Sequence, residues 1–225
     1  MRIRGTITAA VLAGAGLLAL PATADESCHL LTDAANDTTF GARAETSGVA
    51  VQQPLDILSA DVATAEGWLY AVIRVQGLER STYGNAYPTT YRLELTAGTR
   101  KVFVQAAGNP ANSAVTAAST FINYTFTAGR VGVRSYRANG TLDVEGNEIR
   151  IEAPVEYFGR DTVLPGVELG GLTATAVRTY SDHGQLAPGV SSKVTASDTA
   201  TSTATYVADS ESCMDLVVDS TGFFY

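Results

Sequence analysis

The chain has 225 residues, 45% of them hydrophobic, with 15 Lys and Arg against 23 Asp and Glu and a formal charge of −8. That length suits one domain with a full core rather than two. An acidic chain with scattered basic residues lacks the cationic footprint of a nucleic-acid binder and is repelled by anionic lipid, so neither is an expected partner.

In chain order, Arg2 and Arg4 open the sequence, residues 5–20 carry no charge, and Ala22-Thr23-Ala24 follows Pro21. A short basic start, an apolar core and a small-x-small site mark a secretory signal peptide over residues 1–24, with cleavage expected after Ala24. As a membrane anchor the apolar stretch is too short, since about 20 residues are needed to span a bilayer. Cleavage removes two arginines and no acid, taking the formal charge from −8 to −10. The expected product is a single secreted domain, residues 25–225, monomeric and free of the membrane. Its only cysteines, Cys28 and Cys213, stand near its two ends, each in the tripeptide Glu-Ser-Cys. In an exported chain a lone pair so placed predicts one disulfide closing the domain.

Thr32-Asp33-Ala34-Ala35-Asn36-Asp37 comes next, and Asp56 follows at the head of a strand. Clustered Asp and Asn oxygens near the end of an element are what Ca²⁺ requires, which makes Asp33, Asp37 and Asp56 the candidate ligands. The plainer reading leaves these acids solvated in a loop held down by the disulfide. Two strands, Leu55–Ala63 and Leu69–Gln76, flank Thr64-Ala65-Glu66-Gly67. The second is apolar on both faces, with Leu69, Ala71, Ile73 and Val75 on one side and Trp68, Tyr70 and Val72 on the other. Such a strand belongs near the centre of a sheet, partly covered on its outer side.

A long connection over 77–90 holds Tyr83 and Tyr87, with Trp68 nearby in sequence. These three are the candidate ligand-binding residues, because sugar-binding surfaces stack aromatic rings on pyranose faces. Against this, Trp68 and Tyr91 also suit core or sheet-covering positions, and Tyr83 and Tyr87 suit a loop. Tyr91–Thr96 and Lys101–Gln105 form a hairpin about Ala97-Gly98-Thr99. A second long connection spans 106–119. Phe121–Phe126 and Val131–Tyr136 predict another hairpin with its turn at Thr127–Arg130. Asn139-Gly140 and Glu145-Gly146-Asn147 predict turns, Glu148–Ala153 a strand ended by Pro154, and Leu172–Tyr180 and the neighbours of Tyr206 the last strands. From 181 to 205 the composition turns to Ser, Thr, Ala, Asp and Gly, which reads as a polar surface excursion. An exposed strand of Thr and Val, such as Lys193–Ala196, is the alternative. Eight to ten strands with short Gly turns and no amphipathic helix predict an all-β antiparallel sandwich. The unequal strands and two long connections favour a sandwich over a barrel.

No catalytic residues are expected. His29 and His183 are the only histidines, one beside a cysteine and one in the polar stretch, so a His-based triad or zinc site is a poor fit. Glu148 and Glu152 share a strand face and Glu156 follows, a pattern to weigh against the paired carboxylates of glycosidases. Arg150 between the first two gives the acid–base–acid order of an ordinary solvated strand face.

The run from Cys28 to Asp37, the segment Pro54-Leu-Asp56-Ile-Leu-Ser-Ala-Asp61, and Gly140-Thr-Leu-Asp143 through Ile149-Arg-Ile151-Glu-Ala-Pro154 resemble β-sandwich domains of bacterial, often actinobacterial, secreted proteins. Some such domains are appended to extracellular proteases and carbohydrate-active enzymes. The resemblance implies a jelly-roll-like sandwich, sometimes calcium-stabilised, in a targeting or interaction role. Where those domains often carry Asp-Pro-x-Gly-Asp, this chain has Asp33-Ala34-Ala35-Asn36-Asp37. The expected function is a non-catalytic extracellular binding domain for polysaccharide or cell-wall material, requiring no cofactor, with Ca²⁺ as an optional ligand. A secreted glycosidase-like hydrolase and a purely structural envelope protein are the alternatives.

Overall fold

The computed structural model describes residues 29–40, 53–78, 89–108, 124–181, 193–210 and 214. The residues expected to form a signal peptide, 1–24, and Cys28, Cys213, Tyr83, Tyr87 and His183 lie outside the described residues. The strands in chain order are β1 (Leu31–Thr32), β2 (Thr39–Phe40), β3 (Ile57–Ala65), β4 (Trp68–Val75), β5 (Thr89–Ala97), β6 (Arg100–Gly108), β7 (Tyr124–Arg130), β8 (Arg134–Arg137), β9 (Asn139–Asp143), β10 (Glu148–Pro154), β11 (Glu168–Ser181) and β12 (Lys193–Val207). Two antiparallel sheets result, a five-stranded one in the order β1-β3-β4-β10-β9 and a seven-stranded one in the order β2-β12-β11-β5-β6-β7-β8. The count exceeds the expected eight to ten partly because β1 and β2 are two-residue strands. The run β5–β8 is a meander, and β11 returns beside β5 after the chain has passed through the other sheet, which is the Greek-key move.

Turn chemistry sets the registers. Glu66 and Gly67 join β3 to β4 with φ of 52° and 81°, the doubly positive pair of a type I′ turn that matches strand twist. Gly98, at φ 58°, opens the two-residue turn between β5 and β6. The turn expected at Thr127–Arg130 falls instead at residues 131–133, where Gly132 takes φ 73°. Gly129 lies inside β7 opposite Ser135, and a Cβ there would collide with the backbone carbonyl of Arg134. Asn139-Gly140 likewise opens β9 rather than forming a turn. A Cβ on Gly140 would strike the Phe126 ring and come within 2.6 Å of the Arg150 carbonyl oxygen.

The sheets face each other across one core. Leu69, Ile73, Ile149 and Ile151 from the smaller sheet meet Leu93, Leu95, Val102 and Val104 from the larger, none more than 1% exposed, as the alternation predicts. β4 is the central strand of the smaller sheet, and its outward Tyr70 and Val72 are also buried. Met214 packs on that outer pair.

The polar excursion expected over 181–205 is corrected by its described part. β11 runs to Ser181, and residues 193–207 are the long strand β12. Thr is β-branched and fits a pleated surface, so a run that is polar by composition is strand-forming by shape. Along β12, Asp198 and Ala200 point inward, while Ser197, Thr199 and Thr201 point outward.

The chain crosses between the sheets at both lateral edges. Ala138 carries it from β8 to β9 on one side, and residues 33–38 carry it from β1 to β2 on the other. This second seam brings the acidic loop against β3 and β12.

Candidate functional site

The acidic loop is placed by its own conformation. Asn36, standing where the resembled motif has Gly, takes φ 69°, a left-handed conformation that Asn enters more readily than most residues. Its N–H donates to Asp56 Oδ2 at 2.7 Å, and its side-chain oxygen accepts from Gln76 Nε2 at 3.2 Å. Asp33 Oδ1 accepts the Ala34 N–H at 3.0 Å. The bend turns Asp33 and Asp37 towards Asp198, so that one carboxylate oxygen from each lies within 4.8 Å of the others. Asp198 projects from the inner face of β12. It accepts the backbone N–H of Ile57 on its Oδ2 and that of Thr199 on its Oδ1, both at 2.7 Å.

Of the three predicted ligands, Asp33 and Asp37 are brought together, the third member of the group is Asp198, and fully buried Asp56 stands behind the loop. Burial raises the carboxyl pKa of Asp33, opposed by the Ala34 N–H and reinforced by the charges of Asp37 and Asp56. Burial also raises that of Asp198, opposed by the two amide donors and reinforced by Asp37 and Asp33. The charge of Asp37 thus makes both Asp33 and Asp198 harder to ionise. Asp198 was missed because it lies in the stretch read as a surface excursion. The signal that finds it is the alternation of inward Asp198 and Ala200 with outward Ser197, Thr199 and Thr201.

Four buried side-chain atoms among the described residues make no hydrogen bond: Asp33 Oδ2, Thr38 Oγ1, Asp56 Oδ1 and Gln76 Oε1. Two belong to the acidic loop and the other two to residues hydrogen-bonded to Asn36.

A second region is the outer face of the seven-stranded sheet. Residues opposite each other in register share a face, so three rows cross it. One runs Thr201, Thr173, Glu94, Phe103 and Gly129; the next runs Thr199, Thr175, Arg92, Gln105 and Thr127; the third runs Ser197, Val177, Thr90, Ala107 and Thr125. Arg92 holds Glu94 at 2.7 Å and Gln105 at 3.1 Å, and its guanidinium lies 3.9 Å over the centre of the Phe103 ring. The remainder is mostly hydroxyl-bearing.

The other residues singled out in the sequence fall elsewhere. Trp68 lies half-buried at the start of β4, packed on the Tyr70–Val72 cluster of the smaller sheet's outer face. Its expected companions Tyr83 and Tyr87 are outside the described residues. Tyr91 is a core residue whose hydroxyl donates to the Pro54 carbonyl at 2.8 Å. Glu148 and Glu152 form no open pair. Glu148 is clasped by Arg74 at 2.8 Å and Arg150 at 2.7 Å. Glu152 is buried and accepts from Asn139 at 3.1 Å. Glu148 belongs to a line of charges across the smaller sheet, in which Asp61 receives Arg74 at 2.5 Å and the His29 ring at 3.3 Å. No family model, curated protein or solved structure matches this chain.

Proposed function

We propose that this chain is a non-catalytic, exported binding domain, and that its ligand is an extended hydroxyl-rich polymer of the polysaccharide or cell-wall kind. The observation that supports this reading is the outer face of the seven-stranded sheet, where Thr199, Thr175, Thr201 and Thr173 lie in adjacent cross-strand positions. Strands about 4.8 Å apart and same-face residues about 6.7 Å apart along each strand present a regular lattice of hydroxyls. Such hydroxyls both donate and accept, as those of a sugar do. Arg92, flat on Phe103, adds an amphipathic platform beside them. Contact over such a lattice is weak per residue and gains from the number of repeats engaged, which suits an insoluble ligand.

Hydrolysis of glycosides by paired carboxylates needs them about 5–10 Å apart across the bond being cut. In the three rows the single acid is Glu94, and Arg92 holds it.

The test is sedimentation of the mature chain with a panel of insoluble polysaccharides and purified cell walls. At least one matrix should retain the protein. The double variant Thr175→Glu/Thr199→Glu should be released from it while keeping the wild-type melting temperature and circular dichroism. Retention by no matrix, or equal retention of the double variant, overturns the reading.

A further inference from the structure

We propose that Asp33, Asp37 and Asp198, backed by Asp56, hold one divalent cation of the hard, oxygen-seeking kind, best matched by Ca²⁺, which fastens the two sheets together along the seam where the chain passes from β1 to β2.

Geometry supplies the first argument. Oxygens that share a Ca²⁺ at about 2.3–2.6 Å lie at most about 5 Å apart. The three carboxylates already meet that spacing, with one oxygen of each within 4.8 Å of the others. They come from separate places, two from the crossing loop and one from the inner face of β12, so an ion among them bridges the crossing to the larger sheet. Asp198 also holds the amide of Ile57 in the smaller sheet.

The unmet hydrogen-bonding atoms are a second and independent argument. Among the described residues all four are oxygens, and all four belong to the crossing loop or to side chains hydrogen-bonded to Asn36. Unmet groups arising by chance would include nitrogens and be scattered over the molecule. A buried acceptor without a donor is costly, and a carboxylate more so. The Oδ1 of Asp56 is such an atom in a fully buried residue. A concentration of lone pairs with too few donors is the complement of a cation.

Charge makes the same point. None of the ion pairs formed by Asp61, Glu94, Asp143 and Glu148 includes Asp33, Asp37, Asp56 or Asp198. Among the described residues, therefore, the acids of the seam repel one another without a basic partner in an ion pair. The donor set is three carboxylates, with no sulfur or imidazole in the group, which selects hard ions over zinc or copper. Ca²⁺ accepts six to eight oxygens in loose geometry, whereas Mg²⁺ demands a tight octahedron at about 2.0–2.1 Å. A group assembled from a loop and a strand suits the looser ion.

The test uses the mature chain dialysed against EDTA, then titrated with CaCl₂ or MgCl₂ by calorimetry and followed by thermal melting at fixed ionic strength. One Ca²⁺ per chain should bind, with Mg²⁺ weaker, and the melting temperature should rise with free Ca²⁺ by mass action. Asp37 is exposed, so Asp37→Asn leaves the fold intact. In EDTA this variant should melt higher than wild type, because repulsion is relieved. In saturating Ca²⁺ it should melt lower, and its affinity should fall about tenfold or more as one charged ligand is lost. That reversal of sign separates a ligand from a merely crowded acid. Absence of binding heat in the wild type together with coincident melts in EDTA and CaCl₂ overturns the proposal, as does an Asp37→Asn variant that binds Ca²⁺ as tightly as wild type.

Discussion

Asp198 of β12 accepts the backbone N–H of Ile57, the first residue of β3, at 2.7 Å. A side chain of one sheet thereby caps the start of a strand in the other, and a second amide, that of Thr199, fixes the orientation of the same carboxylate. A charged acceptor for a buried amide is worth more than a neutral one, and its loss leaves that amide unpaired. Asp198→Ala should therefore cost about 1.5–3 kcal/mol in EDTA, even though it relieves repulsion from Asp33 and Asp37. Urea unfolding measures this directly, and an unchanged midpoint would show that water replaces the carboxylate without cost.

The disulfide expected between Cys28 and Cys213 gains a positional argument from the residues that follow them. His29 hydrogen-bonds Asp61 at 3.3 Å, and Met214 packs on the cluster of Tyr70 and Val72. Asp61 and Val72 are directly opposed in the β3–β4 ladder. His29 and Met214 thus come to one spot on the outer face of the smaller sheet. The protein, produced in an oxidising compartment and denatured without reductant, should show no free thiol. Reduction should lower its stability by up to about 5 kcal/mol on the chain-entropy model, an upper bound because denatured chains are compact. Two titratable thiols per chain would refute the bridge.

Leu93 lies at the middle of β5, between Val104 of β6 and Ala174 of β11, with none of its surface exposed. Leu93→Ala should cost about 2–5 kcal/mol, from lost burial and from a cavity that rigid neighbouring strands do not fill. Equilibrium unfolding decides the matter. A shift below about 0.5 kcal/mol is what a surface substitution gives, and it would place Leu93 outside the core.

The strands and the inward residues of β4, β5, β6 and β10 were legible because strict alternation and burial carry the same information when one face meets the core. Two kinds of position were not. In Gly129 and Gly140 the sequence shows only a residue without a side chain, and that serves a turn and a close backbone approach equally well. β12 was obscured by composition. In its middle, inward Asp198 and Ala200 alternate with outward Ser197, Thr199 and Thr201, so no apolar period marks it, although Tyr206 near its end is buried. Asp198 was lost with it. Two of the three acids, Asp33 and Asp37, could be read from their spacing, but the third, Asp198, stands more than 160 positions away in the sequence, and only the tertiary fold brings it to them.

Gly129 gives the sharpest test of the corrected hairpin. In the register observed, it faces Ser135 from inside β7, and the space a Cβ needs is taken by the Arg134 carbonyl, a backbone atom that moves only by distorting the ladder. Gly132, at φ 73° in the turn, has nothing within 4 Å of the Cβ position. The two glycines are needed for different reasons, one steric and one conformational. Gly129→Ala should cost about 1–3 kcal/mol as an overpacking substitution that shifts backbone. Gly132→Asn should cost well under about 1 kcal/mol, because Asn tolerates left-handed φ and the site is open. If the turn instead lay at Thr127–Arg130, Gly129 would be the position that accepts Asn and Gly132 the one that rejects Ala. Thermal melts of Gly129→Ala, Gly129→Asn and Gly132→Asn distinguish the two registers by which variant retains the wild-type midpoint.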